Sequence, residues 1–170
     1  MPNKKKTGFL PFLPLLCALP GAVAAILGLF LPYADRLTKQ PYTDTVDRQA
    51  MTLSEWGKQH DMLRELGEKG FPHFETARTF AWVIAIASVA VLVLLLYSRL
   101  DRTKGVFWVC AGAGALLALA SVLAFLFAVF FSVGAGNENK RVLLSVAPYC
   151  TLAGGLLVGA VTFFAVRRDL

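Results

Sequence analysis

Three long stretches of this chain, Phe80 to Tyr97, Val106 to Val133 and Val142 to Val166, contain no Asp, Glu, Lys, Arg or His. A fourth, Phe9 to Pro32, is equally free of charge. A helix rises about 1.5 Å per residue and a bilayer core is about 30 Å thick, so runs of roughly 17 to 25 apolar residues cross it. Inside lipid the backbone has no water to bind, and a helix satisfies its N–H and C=O groups within one segment. The runs therefore predict an all-α integral membrane protein. It is a four-transmembrane-helix bundle with spans about 9–32, 80–98, 106–133 and 142–166, forming one membrane domain over 1–170. Composition agrees, since 56% hydrophobic residues exceed the roughly 45–50% of soluble domains.

The first run follows Lys4, Lys5 and Lys6, as a signal peptide would. It is longer than the apolar core of a signal peptide, and a small-residue cleavage site at Ala22 to Ala24 would cut its middle, so an uncleaved first span is expected. Pro11 and Pro14 suit its first turns, and Pro20 removes an interior hydrogen bond.

Orientation follows from the basic residues of the short segments. Lys4 to Lys6, Arg99, Arg102, Lys104, Arg167 and Arg168 share one side, against Lys140 and Arg141 on the other. The positive-inside rule puts both termini in the cytoplasm and the polar stretch 33–79 outside. The chain has no Asn-x-Ser/Thr sequence, which points to a bacterial inner membrane, the plasma membrane of such a cell.

Within 33–79, Thr52-Leu53-Ser54-Glu55 has the form of a capping box, and Met51 and Trp56 occupy the positions of a hydrophobic staple. A short amphipathic helix is expected from Leu53 to about Leu66, with Gly67 as its C-terminal cap. Leu53, Trp56, His60 and Leu63 recur at helical spacing with Leu66 beside them, while Lys58, Gln59, Asp61, Arg64 and Glu65 take the other face. Trp56, His60, Leu63 and Leu66 are the expected contact residues for a partner. Pro41 to Asp44 reads as a turn, the flanking residues show no strong strand alternation, and Pro72 introduces the second span. Tyr33, Phe71, Phe74, Phe80 and Trp82 read as the outer aromatic belt, Tyr97 and Trp108 as the inner one.

Chemistry-bearing patterns are lacking. His60 and His73 do not form a paired metal motif, and the three cysteines, Cys17, Cys110 and Cys150, lie inside apolar runs. No nucleophile triad or phosphate loop is present, and the net charge of +6 sits at the ends of the spans rather than in a nucleic-acid patch. No catalytic, cofactor or metal site and no nucleic acid partner is expected. The uncharged spans also argue against ion-coupled transport by a lone chain, which relies on buried ionisable groups.

Small residues mark the helix contacts. Ala147, Thr151, Gly155 and Gly159 recur every fourth residue on the fourth span, Gly21, Ala25 and Gly28 lie on the first, and Ala111, Gly114, Ala115 and Ala118 on the third. Such faces let helices approach closely, within one bundle or between proteins.

Four spans, cytoplasmic termini, a long first outer loop and a very short second one are similar in topology to the claudin-like tetraspan membrane proteins. Those carry a Gly-Leu-Trp motif and two cysteines in the first loop, where this chain has Glu55-Trp56-Gly57 and no cysteine. The resemblance implies the span arrangement and no functional residue. The expected function is that of a non-catalytic accessory or scaffolding subunit of a larger membrane or envelope complex. Membrane lipids and other membrane-protein subunits, or further copies of the chain, are its partners. The alternative is a transporter or channel component for an apolar or lipid-like substrate.

Overall fold

The structure, a computed structural model, describes residues 12–40, 45–100, 103–137 and 140–167. Lys4 to Lys6, Pro11, the Pro41 to Asp44 turn, Arg102 and Arg168 lie outside them. The described residues form five helices and three strands in the order α1 (Leu13–Leu27), β1 (Pro32–Lys39), β2 (Val46–Thr52), α2 (Leu53–Glu65), α3 (Phe74–Leu100), α4 (Lys104–Gly134), β3 (Lys140–Leu144) and α5 (Val146–Arg167).

Among the described residues three helices, α3, α4 and α5, are long and apolar enough to cross a membrane. The helix in the first run is shorter than the span expected over 9–32. Among the described residues it covers Leu13–Leu27, and the chain turns at Gly28 to Leu31 before Pro32 opens a strand. At about 1.5 Å per residue its 15 residues reach about 22 Å, less than a bilayer core.

The expectation of an all-α chain with a loop free of strands is corrected. β1 pairs antiparallel with both β2 and β3, giving a sheet in the order β2-β1-β3. Lys140–Leu144, which overlaps the expected start of the fourth span, is the third strand, and α5 begins only at Val146. Pairing explains the change: an isolated hairpin is marginal, whereas a third strand and a packed face stabilise it. Here Tyr33, Ala34 and Met51 are buried on the helix bundle.

The four apolar helices pack side by side around three buried clusters stacked along the bundle. One lies at the sheet end with Phe74, Ala128, Phe131 and Ala147, and one in the middle with Ala25, Ile84, Leu117 and Val158. The third, at the opposite end, holds Ala18, Leu95, Phe107 and Val166. Several hydroxyls inside the helices bond to their own backbone, whereas Ser88 Oγ and Thr162 Oγ1 are buried with no hydrogen-bond partner among the described residues. Ser121 Oγ donates to the Leu117 carbonyl at 2.7 Å and Thr151 Oγ1 to the Ala147 carbonyl at 3.1 Å, which removes the cost of an open hydroxyl in lipid.

Gly and Ala set the helix spacing. A Cβ on Gly21 would stand 2.8 Å from the Gly154 carbonyl oxygen, and one on Gly114 would stand 2.8 Å from that of Gly159. α5 thus meets α1 with one face and α4 with another. Gly28 lies against Thr151 and Ala147, Gly155 against Ser121, and Ala25 against Gly154. Gly21, Gly28, Gly114, Gly155 and Gly159 of the small-residue faces read from the sequence lie against helices of the same chain, whereas Ala115 is exposed.

Candidate functional site: a cleft at the sheet end

The local sequence places α2 firmly. Thr52 Oγ1 accepts from the Glu55 N–H at 3.3 Å while the Glu55 carboxylate accepts from the Thr52 N–H at 2.7 Å, the capping box expected. Hydrogen bonds to its carboxylate from the Thr52 backbone N–H and from the Thr52 hydroxyl lower the pKa of the exposed Glu55, and the Lys58 charge adds to the effect. At the other end Glu68 N–H donates to the Leu63 carbonyl and Gly67 N–H to that of Arg64, with Gly67 at φ 81°. That pair of bonds is a Schellman closure, for which glycine is the favoured residue.

Trp56 anchors α2 to the bundle. It is 1% exposed, and its indole N–H donates to the Ala34 carbonyl of β1 at 3.1 Å. Its ring meets Phe71 at 5.1 Å and Phe131 of α4 at 5.2 Å, both edge-on, the geometry favoured by aromatic quadrupoles. Phe131 in turn meets Phe74 at 5.3 Å and Tyr33 at 6.0 Å. Burial raises the Tyr33 phenol above its ordinary value. Tyr33 and Phe74, read as interface-belt residues, are core instead. Trp82, Tyr97 and Trp108 are exposed.

His60 is a second anchor, 3% exposed. Its Nδ1 accepts the Phe71 N–H at 3.0 Å, and its Nε2 lies 3.4 Å from Glu75, which Arg64 also approaches at 3.5 Å. The segment following α2 folds over the imidazole: a Cβ on Gly70 would stand 2.7 Å from His60 Cε1, and Gly70 has φ 67°. Both His60 and Trp56 therefore point inward, toward the chain's own core. Leu63 is half-buried and Leu66, at 73%, is open to the surroundings.

Between α2, the sheet and the α4–β3 connection lies a cleft of about 360 Å³. Trp56, Met62, Leu63, Phe71, Ala135 and Val142 give it apolar walls, and Arg36, Gln59, Glu68 and Lys140 polar ones. Sequence reading found its α2 wall but not Arg36, Lys140 or Val142, which only strand pairing brings opposite the helix: Arg36 pairs with Val142 and Thr38 with Lys140. Such a cleft can hold a few apolar groups while fixing their direction through charges of both signs. The described residues hold no group of three or more His, Cys, Asp or Glu side chains placed to share a metal.

A separate groove of about 510 Å³ runs between α3 and α4 in the middle of the bundle, lined wholly by Ala, Val, Leu and Ile, including Ala87, Ala90, Ala113 and Leu116. Comparison with protein-family models and with curated proteins finds no match for this chain.

Proposed function

We propose that this is a four-span protein of the plasma membrane, with both termini cytoplasmic and the sheet end outside, acting as a non-catalytic accessory or scaffolding subunit of a larger membrane complex. The observation that carries the reading is the cleft beside α2. It is walled by apolar side chains together with charges of both signs, and it stands on the aromatic anchor at Trp56. Those features suit a protruding side chain or short loop of a companion protein, since interface hot spots are apolar anchors seated in pockets with polar surrounds. Exposed Leu66 extends the contact surface beyond the cleft, next to the partly exposed wall residue Met62. The basic residues Arg99, Lys104 and Arg167 at the opposite end support the cytoplasmic placement of that end. Small-residue faces occupied within the chain leave the sheet end as the better docking surface.

Gentle detergent purification at native expression tests this. A reproducible companion is expected with the wild-type chain and is lost in Leu63→Lys, which puts a charge into the cleft. A lone monomer in both would end the proposal.

The α3–α4 groove favours the second reading, a component that handles an apolar or lipid-like substrate. Filling it with Ala90→Trp would then abolish lipid movement in reconstituted vesicles and leave the companion bound.

A further inference from the structure

The sheet has two faces, and only one covers the cleft. Residues paired across an antiparallel ladder point to the same side, so the register assigns them. Arg36, Gln49 and Val142 form one row on the cleft side, with Thr38, Asp47 and Lys140 beyond it. The other side carries the row Arg48, Leu37, Arg141, flanked by Lys39 and Val46 and by Ala50, Asp35 and Leu143. Among the described residues three cations and one carboxylate share this second face. The carboxylate, Asp35, is only 2% exposed and is already held by Arg48, whose Nε donates to it at 2.8 Å. Lys39 and Arg141 are exposed and pair with no carboxylate among the described residues.

The rest of the face is apolar. Val46 and Leu143 are exposed and Leu37 is half-buried between two arginines. The strands also leave the bundle beside exposed apolar residues, Phe30 just before β1 and Val146 at the start of α5. A surface that is both cationic and apolar, set where membrane helices end, matches the boundary between acyl chains and headgroups.

We infer that this face, through Lys39, Arg48 and Arg141, binds the phosphate of an anionic phospholipid headgroup, with Leu37 and Leu143 against the upper part of its chains. Arginine suits the role because its planar fork donates to phosphate oxygens in pairs, and Arg48 remains exposed while holding Asp35.

The test is native mass spectrometry of the purified chain titrated with phosphatidylglycerol and, separately, phosphatidylcholine of the same chain length. The wild-type protein prefers the anionic lipid. A Lys39→Gln/Arg141→Gln double variant loses roughly tenfold or more of that preference, from about fivefold per surface cation. Arg36→Gln, on the cleft side, leaves it unchanged, and so do sites near Arg99 and Arg167 at the opposite end in both variants. The preference also shrinks with added salt. An unaltered preference in the double variant overturns the inference. An equal fall in Arg36→Gln overturns it too, since net charge rather than this face would then govern binding.

Discussion

Trp56 joins three parts of the molecule through one side chain: α2 carries it, β1 accepts its N–H, and Phe131 of α4 packs on its ring. Trp56→Ala is expected to cost about 3–5 kcal/mol, the usual loss for a large buried aromatic, and Trp56→Phe less, because it keeps most of the packing. Proteolysis of the segment around α2, with thermal unfolding in detergent, reads both. Two titrations act in opposite directions. Glu55 has its pKa lowered on folding, so its cap stabilises the protein above the ordinary value of 4.5 and is lost as pH falls through the lower, folded value. Glu55→Gln should flatten that acid limb of a stability-versus-pH curve. Tyr33 has its pKa raised by burial, so stability is intact below 10.0 and declines as pH climbs beyond it, where only the unfolded phenol ionises. Tyr33→Phe should remove that alkaline decline.

Among the elements, the α1–α5 contact depends on absent side chains. Gly154 faces the Gly21 carbonyl and the backbone of Ala25, so Gly154→Leu should destabilise the bundle by about 1–3 kcal/mol or more through overpacking. Gly112 faces open space, and Gly112→Leu should leave the melting temperature almost unmoved. The helices α3, α4 and α5 were legible because unbroken apolar runs leave few other folds, and α2 because Thr52 and Glu55 stand at capping distance. The sheet was not. β2 is mostly polar and exposed, and β1 finds β3 only after two long helices intervene, so no local alternation announces the pairing. The same distance hid the cleft wall formed by Arg36, Lys140 and Val142. The helical periodicity that marks Trp56 and His60 gives the apolar face of α2 but not what covers it. The fold covers it with Phe71, Phe74 and Phe131.

Taken whole, the molecule is a helix bundle carrying a small sheet and one short helix at one end, and the sheet end holds both a cleft and a cationic face. We propose that the cleft receives a companion membrane protein. Site-specific photo-crosslinking in native membranes tests it most directly, with the reactive group at Gln59, on the cleft, or at Ile86, on an exposed part of α3. One discrete protein adduct is expected from Gln59, absent from Ile86 and abolished when Ala135→Trp fills the cleft. An adduct pattern that is the same from both positions, or that survives the filled cleft, would contradict it.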